Sequence, residues 1–173
     1  MTPTYTESTL LRIYGGRRQV LVYESTSALS SVPDITSGYR AYAGVHAFTL
    51  RQRVGAQGLT DDGTRLTHIP LKAPLSANQA SLLIQWLREQ HFLKIPFDTS
   101  NDFLGESSFL KKLGVNKKDD LTKLFSSELV AAALKHACAL PKDSLALDFS
   151  PDDLVNCPIY AKEVATVITR YDK

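Results

Sequence analysis

The sequence predicts an α+β domain in which an antiparallel sheet of about five or six strands packs against two main helices. Two short runs of β-forming residues, 8–14 and 19–24, flank a Gly-Gly pair, which is typical of a hairpin because a tight turn needs positive φ. Two later runs, 76–91 and 119–139, repeat apolar residues at helical spacing. The length of 173 residues suits one domain that spans residues 1–173.

The register of the first hairpin decides which of its residues face one another. If Gly15 faces Arg18 across a two-residue turn, the numbers of paired residues sum to 33, and Thr9 lies opposite Glu24. A third strand is predicted from about Gly44 to Arg51, where Val45, Ala47 and Thr49 alternate with His46, Phe48 and Leu50.

Two more strands are predicted further along the chain. Residues 65–72 form a fourth strand, in which Pro70 indicates an edge or a strand end because proline lacks the N–H group. The β-branched run at residues 163–171 predicts a last strand.

The first main helix is predicted to begin after Ser76 and to run to about residue 91. Ser76 and Gln79 fit a capping box, in which the serine caps the helix and the glutamine reaches back to the cap. A shorter helix is predicted to start at Ser150-Pro151, because proline is favoured at the first helical position.

The second main helix lies in residues 119–139, at the centre of the predicted domain. Leu121, Leu124 and Phe125 follow helical spacing, and the residues after them are apolar nearly all round, which predicts a buried helix. Ser126, with Glu128 close behind it, can cap the start of this helix, where the helix dipole favours a developing negative charge.

The composition narrows the classes of function. The net charge of +2 gives no electrostatic reason to expect a nucleic-acid partner, and no apolar run is long enough for a membrane span. Cys138 and Cys157 lack zinc spacing, and the acidic residues of 98–120 fit no metal loop, so neither a metal nor a cofactor is predicted. The first residues lack the features of a signal peptide, which predicts a cytoplasmic protein or one in a particle assembled there.

One segment of the second main helix carries a family resemblance. The run FSSELVAAAL resembles the F-C-S-E-L-V-A-A-A-L helix of the permuted papain-like proteins of the NlpC type. Five other segments are similar to segments of that family in the same order: QVLVYESTS, GVHAFTL, IPLKAPLS, KIPFDTSNDF and FSPDDLVNCPIY. The resemblance implies a circularly permuted papain-like fold over most of the chain.

The resemblance also implies the place of a site. In the family, a Cys at the helix N-terminus is the nucleophile, a His on the first strand is the base, and a polar residue on the next strand orients the His. Here these positions are Ser126, Thr9 and Glu24. Threonine cannot act as a base near neutral pH, and a serine hydroxyl is a far weaker nucleophile than a thiolate.

Two such departures favour a catalytically degenerate member that acts as a binding or structural protein, in the manner of a phage or virus particle component. Its partner would be a protein or a peptide-like or acyl-like ligand. The alternative is a cysteine peptidase or amidase acting on peptidoglycan or other acyl or amide bonds, with its Cys replaced by Ser126. A third hypothesis is a serine hydrolase that uses Ser126 or Ser127.

Both enzyme hypotheses require a histidine within about 4 Å of Ser126. His46 and His68 are expected on the faces of strands, and His91 ends the first main helix, where a cation is favourable. His136 lies on the same helix as Ser126, about 15 Å further along, which is too far for proton transfer.

Overall fold

The computed structural model describes residues 11–14, 17–26, 34–36, 42–56, 66–99, 121–141 and 143–168. The strands are β1 (Leu11–Tyr14), β2 (Arg17–Thr26), β3 (Gly44–Thr49), β4 (Leu66–His68) and β5 (Thr166–Ile168). The α-helices are α1 (Leu50–Ala56), α2 (Ala77–Phe92), α3 (Ser126–His136) and α4 (Pro151–Asn156), and two short 3-10 helices cover Ala146–Asp148 and Lys162–Val164. The predicted α+β class is confirmed.

The five described strands form two separate sheets, so the prediction of one larger sheet is wrong for this part of the chain. One sheet has the antiparallel order β1-β2-β3, and the other pairs β4 with β5. The edge of β3 that does not pair with β2 makes backbone hydrogen bonds to other segments. Ile35 donates its N–H to the Ala47 carbonyl at 3.0 Å, and Val45 donates its N–H to the Ile95 carbonyl at 2.9 Å. The fourth strand therefore cannot pair with β3, and it pairs with the C-terminal strand instead.

The hairpin register differs from the predicted one. Tyr14 pairs with Arg17 and Leu11 pairs with Val20, so the numbers of paired residues sum to 31 instead of 33. The shift of two in this sum places Glu24 outside the paired part of the hairpin, since the described pairs run from Leu11–Val20 to Tyr14–Arg17. The described register therefore does not support the assumed pairing of Thr9 with Glu24.

The third strand ends earlier than predicted, because a helix begins directly after it. Thr49 accepts the backbone N–H of Gln52 on its hydroxyl at 3.1 Å, and Gln52 accepts the backbone N–H of Thr49 on its side-chain oxygen at 3.1 Å. This reciprocal pair is a capping box, and it turns the chain into α1 at Leu50. The predicted continuation of the strand to Arg51 is therefore wrong.

Two helix starts follow the sequence signals closely. The capping box of Ser76 and Gln79 precedes α2, and Ser150 forms another with Asp153 at the start of α4. Both predictions are confirmed. Each signal is local, since all of its donors and acceptors lie within one helical turn of the sequence.

The start of α3 was only partly predicted. Leu121, Leu124 and Phe125 precede the helix although their spacing is helical. The cap residue is Phe125, whose backbone N–H donates to the Glu128 carboxylate at 2.8 Å. Ser126 is therefore the first helical residue and not the cap.

The helices α2 and α3 lie antiparallel to each other. At one end, the Gln79 side chain donates to the Cys138 carbonyl at 3.5 Å. At the other end, Leu124 donates its backbone N–H to the Pro96 carbonyl at 3.0 Å. The predicted buried position of the second main helix is confirmed, since most of α3 is buried against α2 and the first sheet.

Candidate functional site

The N-terminus of α3 is fixed against strand β2. The Ser25 hydroxyl donates to the Leu124 carbonyl at 2.6 Å, and the contact is buried. The rings of Phe97 and Phe125 pack edge to face at 5.3 Å. Ser126 follows directly, half-buried, at the positive end of the helix dipole. Ser126, for which the resemblance predicts the nucleophile position, thus begins a helix that is packed against β2.

Glu24 lies on the other face of β2. Neighbouring residues of a strand point to opposite faces, and Ser25 points toward α3. The Glu24 carboxylate accepts a hydrogen bond from Arg53 of α1 at 2.7 Å, and both side chains are largely buried. The structure therefore does not bring Glu24 and Ser126 together.

Thr9, the third member of the predicted site, lies outside the described residues. Its role at the family histidine position stays a prediction.

The structure brings together a group of polar side chains that the sequence did not indicate. The Asp34 cluster consists of Asp34, His46 and His91. The imidazole Nε2 of His91 lies 2.7 Å from Asp34 Oδ2, and Nδ1 of His46 lies 3.6 Å from the same oxygen. The cluster joins the edge of β3 to the C-terminal end of α2.

The Asp34 carboxylate is held from several directions. Its Oδ2 accepts the backbone N–H of Ala47 at 3.0 Å, and its Oδ1 accepts the backbone N–H and the hydroxyl of Thr36 at 2.9 and 2.7 Å. Burial by itself raises the pKa of Asp34, but its interactions with the two nearby histidines and hydrogen bonds from backbone N–H groups outweigh it and hold the pKa well below its usual range. The carboxylate is therefore ionised throughout the physiological pH range.

The two histidines of the Asp34 cluster differ in access. His46 is fully buried, and its Nε2 donates to the Tyr42 carbonyl while the Tyr42 ring packs on the imidazole at 4.4 Å. Burial and the charge of Asp34 raise the pKa of Tyr42 to about 12, so this phenol stays neutral. The His91 side chain is 11 % exposed, and its ring meets the edge of Tyr23 at 6.0 Å. His91 is thus the member that a ligand can reach.

Sequence reasoning missed the cluster because its members are far apart in the chain. Asp34 and His91 are separated by 57 positions, and no motif joins them. One local signal was available, since Asp34 and Thr36 form a turn of the kind that an aspartate after proline favours. The expected strand-face position of His46 is confirmed.

The other candidate residues lie elsewhere. His136 stacks on Trp86 at 5.0 Å near the far end of α3, about 15 Å along the helix from Ser126. Cys138 is exposed, Cys157 is buried, and both are free. Within the described ranges, no group of three or more His, Cys, Asp or Glu side chains has a geometry that could hold a metal ion.

An apolar cavity of about 210 Å³ lies at the opposite end of the helix pair. Its walls include Leu71, Pro74, Leu75, Ala139 and Ile159. It is separate from the start of α3, since Gln79, which also lines it, contacts Cys138 beyond the end of that helix.

Across the part of the chain that the structure describes, no helix is long and apolar enough to cross a membrane. Comparisons with known protein families, with curated proteins and with solved structures gave no match.

Proposed function

We propose that the chain is a catalytically degenerate, permuted papain-like domain of the NlpC type that acts as a binding or structural protein. The observation that carries the proposal is the placement of Glu24. The residue expected to orient a catalytic base is bound to Arg53 on the face of β2 that points away from α3. Serine at the nucleophile position adds to this, because a hydroxyl needs an adjacent base to attack an acyl group.

The proposed ligand is a peptide-like or acyl-like molecule that binds at the start of α3. The dipole of this 11-residue helix favours a carbonyl or carboxylate oxygen near Ser126. The half-buried aromatic rings of Phe97 and Phe125 lie beside this position and can cover an apolar part of the ligand. The setting is a cytoplasm or a phage or virus particle, where the domain would bind such a group on a protein partner.

A charge placed at Ser126 tests the binding role. The variant Ser126→Glu puts a carboxylate where the ligand oxygen would lie, so we expect peptidoglycan fragments carrying a free carboxylate to bind at least 10-fold more weakly by calorimetry. The matched control is Ser81→Glu, because Ser81 is exposed on α2. The native chain is expected to leave the fragments uncleaved by mass spectrometry. Cleavage that Ser126→Ala abolishes would contradict the proposal.

One observation favours the alternative function, a peptidase or amidase in which Ser126 replaces the nucleophilic Cys. The contact of His91 with Asp34 has the form of a base oriented by a carboxylate. If the alternative is right, Ser126→Cys converts the native chain into a hydrolase of the same fragments.

A further inference from the structure

The cavity beside the start of α2 is formed by parts of the chain that lie far apart in the sequence. Four aliphatic residues line it, two from the segment before α2 and two from the segments after α3 and α4: Leu71, Leu75, Ala139 and Ile159. A backbone hydrogen bond joins the two sides, since Lys72 donates its N–H to the Ile159 carbonyl at 2.8 Å. The cavity is therefore a product of tertiary packing and not of one local turn.

The polar side chains of the cavity differ in their bonding. Among the lining residues that the structure describes, these side chains belong to Gln79 and Lys72. The Gln79 amide is bonded within the protein, because its Nε2 donates to the Cys138 carbonyl at 3.5 Å and its Oε1 accepts the backbone N–H of Ser76 at 3.0 Å. Lys72 is exposed and forms no ion pair with any other described residue. Within the described part of the chain, its ammonium is therefore an uncompensated positive charge at the rim of an apolar cavity.

The size and the walls of the cavity define the class of ligand. Its volume is about 210 Å³, and a water-sized or methylene-sized group occupies about 30 Å³, so about seven such groups fill it. Aliphatic walls give water few hydrogen-bond partners, so they favour a hydrocarbon over water. The charge of Lys72 favours an anionic group where the hydrocarbon meets the solvent.

We propose that the cavity binds the hydrocarbon chain of a medium-chain aliphatic carboxylate, with about seven or eight carbons, and that the carboxylate pairs with Lys72. The site is separate from the ligand position proposed at the start of α3, since Gln79 of its wall contacts Cys138 beyond the other end of that helix. The inference therefore goes beyond the proposed function and depends neither on that ligand nor on Ser126.

A series of carboxylates of increasing chain length tests the size of the site. Each methylene that enters the cavity should lower Kd about fourfold, so octanoate should bind about 15-fold more tightly than hexanoate to the native chain by calorimetry. Dodecanoate should gain less than about fourfold over octanoate, because its additional methylenes remain outside the filled cavity. Octanoate should bind with a Kd below about 1 mM. Absence of binding at that concentration, or an affinity that does not depend on chain length, would overturn the inference.

Removal of the charge at the rim tests the role of Lys72. The variant Lys72→Gln should weaken octanoate binding about 3- to 5-fold, the range expected for the loss of a solvent-exposed ion pair. The matched control is Arg88→Gln, because Arg88 is an exposed cation on α2 that does not line the cavity. Equal affinities of Lys72→Gln and the native chain would overturn the pairing with the carboxylate.

Filling the cavity tests its place in the fold. Ala73 lies on the exposed rim, so Ala73→Leu puts three additional carbons into the cavity and should weaken octanoate binding at least 10-fold. The matched control is Ala165→Leu, at an exposed position that does not line the cavity. If Ala73→Leu fails to fold, methyl NMR of the native chain decides instead. Octanoate should then shift the signals of Ala139 and Ile159, and unmoved signals would overturn the site.

Other occupants of the cavity give different results. Tighter binding of acetyl-glycyl-leucine than of octanoate would overturn the inference in favour of the C-terminus of a peptide. A dimer in sedimentation that Ala73→Leu dissociates would overturn it in favour of a second copy of the chain. The variant Ser126→Glu should leave octanoate binding unchanged, so a failure of the proposed function is distinguishable from a failure of this site.

Discussion

At the scale of single residues, Asp34 links three parts of the structure through hydrogen bonds. It accepts hydrogen bonds from Thr36 of its own turn, from Ala47 of β3 and from His91 of α2. It is 5 % exposed, so these donors replace the water that a carboxylate normally keeps. Its charge is therefore part of the packing between the first sheet and α2.

The variant Asp34→Asn keeps the shape of the side chain and removes the charge. We expect it to lower the free energy of unfolding by about 2–4 kcal/mol, because the charge-assisted hydrogen bond from His91 becomes an ordinary one or is lost. Urea denaturation at neutral pH measures the change. Asp143→Asn, at an exposed position, should alter stability by less than about 0.5 kcal/mol. Equal effects of the two variants would contradict this role of Asp34.

At the scale of elements, the contact between β2 and α3 determines where the candidate site forms. The Ser25 hydroxyl of β2 donates a hydrogen bond to the carbonyl of Leu124, the residue just before the helix cap. Because Leu124 is fully buried, its carbonyl has no access to water once this bond is removed.

The variant Ser25→Ala should therefore lower the free energy of unfolding by about 1–2 kcal/mol, the usual effect of leaving a buried carbonyl without its donor. The comparison is Ser81→Ala, which removes an exposed hydroxyl on α2 and should change stability by less than about 0.5 kcal/mol. Thermal unfolding of both variants measures the difference. A stability of Ser25→Ala equal to that of the native chain would show that water or another donor replaces the hydroxyl.

The elements that the sequence predicted well are those whose signals are local. The starts of α2 and α4 each depend on a serine and a partner three residues later. The start of α3 was harder to predict, because only Glu128 belongs to its capping interaction as a side chain and Phe125 contributes its backbone. The end of β3 was misplaced because the capping box of Thr49 and Gln52 lies inside an otherwise strand-like run.

The arrangement of the strands and of the Asp34 cluster could not be predicted, because it depends on distant parts of the chain. The edge of β3 makes hydrogen bonds to Ile35 and to the segment after α2. The local sequence of neither segment indicates that it lies beside β3. The cluster needs the same two parts of the chain to meet. Of the two predicted site positions that the structure describes, Ser126 begins a buried helix and Glu24 lies on the opposite face of β2, and the role of each stays a prediction.

At the scale of the whole molecule, the C-terminal part of the chain pairs with the segment that precedes α2. Residues 66–68 pair with residues 166–168, and the contact continues where Lys72 donates its backbone N–H to Ile159 at 2.8 Å and Ala161 donates to Pro70 at 2.8 Å. The Asp34 cluster lies elsewhere, between the first sheet and α2. We therefore expect loss of the cluster to weaken the packing between the first sheet and α2.

The pH dependence of global stability follows from this. Folding lowers the pKa of Asp34 far below its unfolded value of about 3.9, so its stabilisation is complete above that value and is lost as the pH falls below it. Between about pH 4 and pH 2, we expect this one group to remove up to about 1.4 kcal/mol per pH unit. Urea unfolding at pH 7, 4 and 3 should show a shallower acid loss for Asp34→Asn than for the native chain. Identical acid slopes would contradict the prediction.

The hydrogen bond from Ser25 to Leu124 joins residues 99 positions apart, and this separation has a consequence for the order in which the molecule assembles. A contact that closes so long a loop forms only after the loss of chain entropy has been offset by nearer contacts. During synthesis, β2 is complete about a hundred residues before α3 emerges. The proposed ligand position at the start of α3 would therefore form only late in folding, and a nascent chain that has already formed its first sheet would still lack it.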